Sequence, residues 1–178
     1  MSLSRDKLNA YLYSCLNLNN GRMYWQEKID RMSSRFAVTD FNRRFTDWFE
    51  ILKTLEDRFI IKSDSNFHFS NWSETLKYPT LIRTVTREAV NLEIDRLDSD
   101  CNYWMVVVHD DHPTAKHVVY DCKPIVINAL IEINTGIFFI GDKKYNWFVQ
   151  FKPIENSMVS LIKSSQPQTP FEKEILYQ

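Results

Sequence analysis

The sequence predicts an α+β fold in which N-terminal helices pack on a mostly antiparallel sheet and the C-terminal half runs β-β-α-β-β-β. Three observations lead to this. Apolar residues recur at helical spacings of three and four up to about Leu97, and β-branched and aromatic runs replace them from Tyr103 onward. The expected strands also follow one another with one helix among them, whereas a doubly wound parallel sheet alternates strand and helix throughout.

Taken in order, Leu8, Tyr11, Leu12, Cys15 and Leu16 share one face of a first amphipathic helix, and the turn formers NLNNG stop it. A second helix is expected over Met23 to Phe36, its inward stripe being Trp25, Ile29, Met32 and Phe36. The longest pattern joins Phe41, Phe45, Trp48, Leu52, Leu55 and Phe59, which predicts a third helix of about five turns capped by Thr39 or Asp40. KSDSNFHFSNWSETLKYP breaks the pattern and reads as a loop lying on the body, anchored by Trp72. Leu81 to Leu97 then suggests a fourth helix with Ile82, Val85, Ala89 and Leu92 turned inward.

Beyond DSDCN the period changes. WMVVVH and HVVYDC read as strands, KPIVINALIEINTG as a helix with Pro124 near its start and Gly136 just past its end, and IFFI, KYNWFVQF and SMVSLIK as three further strands. No repeat or linker divides the chain, so residues 1–178 are expected to form one domain: a mainly helical part over 1–97, a sheet part over 103–163 and a tail over 164–178. In the tail, Thr169 and Glu172 have capping-box spacing ahead of Phe171, Ile175 and Leu176.

Composition narrows the function. A chain of 178 residues that is 44% hydrophobic can bury a substantial core, and a formal charge of -1 supplies no general attraction to nucleic acid or anionic lipid. Neither a secretory leader nor a run of apolar residues long enough to span a bilayer is seen, so a cytoplasmic protein is expected, with no membrane or nucleic-acid partner. Three dispersed cysteines, Cys15, Cys101 and Cys122, read as reduced and structural. With only three glycines in the chain, neither a P-loop nor a Rossmann fingerprint is available.

The stretch WMVVVHDDHPTAKHVVYDCK concentrates the chemistry-bearing residues. A symmetric hairpin sets His109 opposite His117 and Asp110 opposite Lys116 around the loop DHPTA, and puts Asp121 opposite Met105. Trp104, Val106, Val108, Val118, Tyr120 and Cys122 then form a core face, while the histidines lie on the less hydrophobic face near the turn. His109 and His117 are candidate metal ligands, although spacing fixes no third ligand. A nuclease-like pattern of Asp110 or Asp111 with Asp121-Cys122-Lys123 and Glu88 is also present. In this register, however, Asp111 lies roughly 20 Å from Asp121, too far to share an ion. No G-x-S-x-G elbow or local cysteine-histidine signature occurs, so no catalytic residue, metal or cofactor is assigned.

WFEILKTLEDRF, YWMVVVHDD, VVYDCKPIVINALIEI and FFIGDKKYNWFVQF resemble a family of small uncharacterised bacterial domains, in which a tryptophan-containing loop leads to a strand pair, a helix and a closing K-Y-x-W strand. Here that last element is Lys144-Tyr145-Asn146-Trp147, and the likeness runs from Trp48 to Lys163; KPIENS, after Phe151, lacks the family's His-rich ending. Such proteins are similar in size and layout to immunity proteins of polymorphic toxin systems, including the SMI1/KNR4-like set. The resemblance implies a protein that neutralises a cognate toxin by direct binding and carries over no functional residue; the acidic character of the loops themselves makes Asp98, Asp100, Asp110, Asp111 and His112 candidate contacts to a basic partner. A small metal-dependent nuclease or hydrolase, and a phage or host inhibitor or accessory subunit, are the alternative readings.

Overall fold

A computed structural model describes residues 25–43, 47–61, 72, 76–108, 119–134, 136–155 and 157–166. The first expected helix, the hairpin tip with its three histidines and the tail with its capping box lie outside these residues. Within them the chain runs α1 (Trp25–Ser33), β1 (Phe41–Asn42), α2 (Trp48–Phe59), β2 (Pro79–Thr86), α3 (Arg87–Asp95), β3 (Tyr103–Val107), β4 (Val119–Cys122), α4 (Pro124–Ile133), β5 (Phe138–Asp142), β6 (Trp147–Pro153) and β7 (Met158–Ser165). The seven strands form one sheet in the order β1-β4-β3-β5-β6-β7-β2. Every pairing among them is antiparallel. The fold class is therefore α+β, and the β-β-α-β-β-β order of the C-terminal half is as expected.

Helices cover both sides of the sheet. On one side α1, α3 and α4 set Trp25, Ile29, Val90, Ile94, Ile127 and Leu130 against Met105, Val107, Ile140, Phe151 and Leu161. On the other, Ile51, Leu52, Leu55 and Phe59 of α2 pack with Trp72 on Val106, Val119, Phe139 and Phe148. Burial of residues on both faces of a strand removes the alternation that marks a half-exposed one. Phe138 to Gly141 of β5 are accordingly buried in unbroken succession.

Aromatic packing is densest on the α2 side. Phe148 stacks on Phe139 at 5.1 Å and on Phe59 at 5.4 Å between ring centroids, and the ring of Trp72 meets Phe148 edge-on at 6.0 Å. Trp72 itself is buried in this cluster, while the rest of the segment it was expected to anchor, 62–71 and 73–75, lies outside the described residues. On the opposite side Trp25 Nε1 donates to Tyr120 Oη at 2.8 Å, tying α1 to β4 through a buried hydrogen bond. Desolvation there pushes the Tyr120 phenol well above its ordinary range.

Two expected helices are corrected. The third does not begin near Thr39: Phe41 and Asn42 form β1, paired with Cys122 and Asp121, and α2 starts at Trp48 behind Asp47. Asp40 caps no helix and instead binds Lys123 Nζ at 3.0 Å. The heptad-like series was misleading because Phe41 satisfies helical spacing while its partners, in β4, are remote in sequence. The fourth helix is also shortened, since Pro79 to Thr86 is strand and the Thr86 hydroxyl accepts from Ala89 N at 3.3 Å to start α3. Val90 and Ile94 are the buried residues of α3, whereas Ile82 and Leu92, expected inward, are 67% and 61% exposed. β-branched residues in TLIRTVT favour strand, and β7 offers that strand a full-length partner. The part expected to be mainly helical therefore contributes one edge strand to each end of the sheet.

The hairpin register also differs by one residue. Asp121 faces Trp104 rather than Met105, and Val106 faces Val119. Tyr120 and Cys122 consequently share a face with Tyr103, Met105 and Val107, not with Trp104 and Val106. Because β3 is buried on both faces, a one-residue slip exposes no apolar side chain, and its hydrophobic pattern does not encode register. Cys122 nevertheless points into the core, fully buried.

Between α4 and β5 the chain passes close to β3. A Cβ on Gly136 would lie 2.6 Å from the Val108 carbonyl oxygen, and the Asn134 side chain brackets the turn by accepting from Gly136 N at 3.0 Å. Arg87 Nη2 donates to Ile131 O and Asn134 O, both at 2.9 Å, so α3 caps the C-terminus of α4. Gly136→Ala is expected to cost about 1–3 kcal/mol, read from the shift in urea midpoint, because the clash is with backbone. Phe148→Ala should cost about 3–5 kcal/mol in the same measurement; a loss under 1 kcal/mol would mean that the three-ring stack is not a principal support.

Candidate functional site

The helices on the α4 side do not reach the whole sheet. Between the end of α3, the 96–102 loop and strands β5, β6, β7 and β2 lies an open cleft of about 780 Å³. Strand alternation builds its floor. Ile140, Val149, Lys163 and Leu81 form one cross-strand row, and Phe151, Leu161 and Arg83 the next. Tyr103 and Trp147 close one end with ring centroids 5.9 Å apart. Arg96, Leu97, Asp98 and Cys101 supply the wall that adjoins Tyr103.

The acids that line the cleft are engaged by neighbours. Glu93 pairs with Arg83 at 2.5 Å and with Arg96 at 2.9 Å, so one carboxylate serves two guanidinium groups. Asp142 accepts from the backbone N–H groups of Asn146 at 2.6 Å and Trp147 at 3.1 Å, and from Asn146 Nδ2 at 2.9 Å. Asp142 thereby closes the β5–β6 turn, in which Tyr145 takes the left-handed conformation with φ 57°. The Lys144-Tyr145-Asn146-Trp147 element is thus a turn leading into β6, followed by a further strand, β7. Lys143 Nζ turns away to Asp121 at 2.7 Å, lying 3.3 Å from the centroid of the Trp104 ring. Among the described residues no ion pair reaches Lys144 or Lys163, and Lys163 Nζ lies 5.7 Å from the Trp147 ring centroid.

Asp98 organises the adjoining loop. Its carboxylate accepts from Asp100 N at 2.9 Å and from Cys101 Sγ at 3.3 Å, and its own N–H donates to Tyr103 Oη at 3.1 Å. The Asp100 N–H and then the Cys101 thiol hold the Asp98 carboxyl below its usual range, while the same hydrogen bond to Asp98 raises the Cys101 thiol. The two shifts favour one state, a charged carboxylate accepting from a neutral thiol. Its contribution is present above the ordinary carboxylate range and fades as pH falls through the lowered Asp98 value; at the alkaline end it fades as pH rises through the raised Cys101 value. Burial raises the Cys122 thiol as well. Neither described cysteine is an activated nucleophile.

Of the candidate contacts, Asp98 lies in the cleft wall and Asp100 is exposed beside it. Asp110, Asp111 and His112, with the candidate ligands His109 and His117, lie outside the described residues. The D-x-K pair is split between structural roles: Asp121 binds Lys143 and accepts from Asn102 Nδ2 at 3.0 Å, and Lys123 binds Asp40. Glu88 sits exposed in the first turn of α3, where its own backbone N–H and then the Thr86 hydroxyl lower its carboxyl. Among the described residues no three His, Cys, Asp or Glu side chains come together as a metal site. No described helix is long and apolar enough to cross a membrane.

The cleft itself was not anticipated, because Leu81 and Arg83, Arg96, Lys144 and Lys163 belong to separate segments. One signal was present: Val159, Leu161 and Lys163 alternate along β7, which places a lysine on the core-facing side of a strand. Comparison with protein-family models, curated proteins and solved structures finds no match in any of the three.

The Asp98–Cys101 hydrogen bond has a chemical readout. In a Cys15→Ser background, Asp98→Asn should raise the iodoacetamide alkylation rate of Cys101 at pH 8 by about threefold, since a neutral amide no longer opposes thiolate formation. An unchanged rate would show that the pair does not control the thiol.

Proposed function

We propose that this protein works by binding another protein through the cleft between α3 and the β5–β6–β7–β2 part of the sheet. The observation that carries this reading is the lining: Tyr103, Trp147, Arg83 and Arg96 border an apolar floor on a rigid sheet. Trp, Tyr and Arg are the residue types that most often dominate binding energy at protein interfaces, above all beside well-packed pockets. Their positions are fixed in advance by strand pairing and by the shared Glu93 carboxylate, which lowers the ordering cost of association.

Within that class, the finer reading is an immunity protein that neutralises a cognate toxin by occupying its active site or substrate surface. It rests on the resemblance of the Trp48 to Lys163 segment to small bacterial domains that are similar in size and layout to immunity proteins, and the exposed Asp98–Cys101 loop at the cleft edge is a suitable contact element.

Co-expression with the product of the adjacent reading frame, followed by pull-down and a growth assay, tests both levels. The expected result is a stable complex, rescue from toxicity, and affinity weakened about tenfold by the double change Arg96→Glu, Lys144→Glu at unchanged melting temperature. No complex and no rescue would reject the immunity reading, and a complex indifferent to the double change would remove the cleft from the interface.

A further inference from the structure

We infer that the cleft is selective for a carboxylate carried on an apolar body, presented by a protruding segment of the partner protein. This deepens the binding reading above and rests on it. Four basic groups, those of Arg83, Arg96, Lys144 and Lys163, face the cleft with three acidic ones, Glu93, Asp98 and Asp142, while Lys143 turns its Nζ to Asp121. One positive charge is thus in excess, and it falls on the lysines. Glu93 is shared by two arginines, and the Asp142 and Asp98 carboxylates are directed to backbone N–H groups and a thiol, so among the described residues none of the three is paired with Lys144 or Lys163.

Lys163 decides the point. It projects from the centre of the floor, where its cross-strand neighbours are Val149 and Leu81, and it is only partly exposed. A cation held among apolar side chains has lost part of its hydration, and the nearby Trp147 ring returns only part of that loss. An anion entering the cleft meets Lys163 at the bottom and Lys144 at the rim, while Leu161, Phe151 and Trp147 receive the apolar part. A ligand volume of this order is typical of pockets that bury a compact group and orient it through a few polar contacts. The recognised feature is thus a Glu or Asp side chain, or a chain terminus, flanked by large apolar residues.

The test titrates full-length ¹⁵N-labelled protein with acetyl-Phe-Glu-Leu-amide and with its Gln isostere, following the Trp147 indole N–H and the Lys163 amide. The Glu peptide should bind about fivefold more tightly, a margin that Lys163→Gln removes and Lys144→Gln reduces. Equal affinity of the Glu and Gln peptides, or shifts confined to other surfaces, would overturn the inference. So would 3-phenylpropionate binding as tightly as the peptide, which would assign the cleft to small organic acids. Failure of charge selectivity alongside a partner complex sensitive to Arg96→Glu, Lys144→Glu would reject this inference and leave the binding reading standing.

Discussion

The structure depends on β5 being buried on both faces. Phe138, Phe139, Ile140 and Gly141 are buried one after another, so the strand is stable only if something apolar lies above and below it. The helix on one side is α2, whose Leu55 approaches the place where a Gly141 side chain would stand; a Cβ there would lie 3.5 Å from Leu55 Cδ2 and 3.0 Å from the Phe148 ring. On the other side α4 supplies a helix apolar along most of its length, with Val126, Ile127, Leu130 and Ile131 buried. Fixing β5 in this way also fixes β3 and β6, its paired neighbours.

The cleft follows from the unequal reach of the two helical layers. α4 covers the middle of its face, and α3, at nine residues, ends before it spans the outer strands. The chain then turns back through the 98–102 loop instead of continuing as helix. Uncovered apolar sheet surface would be a liability, and the cations that project into it keep the opening wetted. Ion pairing in this region arranges side chains more than it adds stability. Arg96 is 70% exposed at its side chain, and pairs at that exposure contribute little.

Much of the fold was legible because local patterns and tertiary demands agree. The Trp25, Ile29 and Met32 stripe, Pro124 at the start of α4, and the strand runs of the C-terminal half all coincide with what packing requires. Legibility failed where a residue answers to a distant partner. Phe41 fits a helical series, yet it is taken by β4; Ile82 fits an inward helical position, yet lies exposed on a strand. The hairpin register failed for a different reason. β3 is buried on both sides, so no polar stripe marks which residues of β4 it faces. A site assembled from β2, the end of α3, the β5–β6 turn and β7 has no contiguous signature, and only the phase of Lys163 with Leu161 pointed toward it.

The pairing of β2 with β7 carries a consequence for biosynthesis. β2 leaves the ribosome before β3, β4, β5 and β6, yet its strand partner, β7, follows all of them. Until β7 inserts between β6 and β2, both strands present open edges, and each row of the cleft floor lacks its β7 member, Lys163 or Leu161. Pairing over so long a separation is slow, because the chain loses loop entropy before contacts offset it. The nascent chain therefore completes this outer part of the sheet last, and the cleft takes shape only once β7 is in place. Pro79 and the register break between Pro79 and Leu81 roughen the waiting edge of β2, which discourages a second chain from pairing there first.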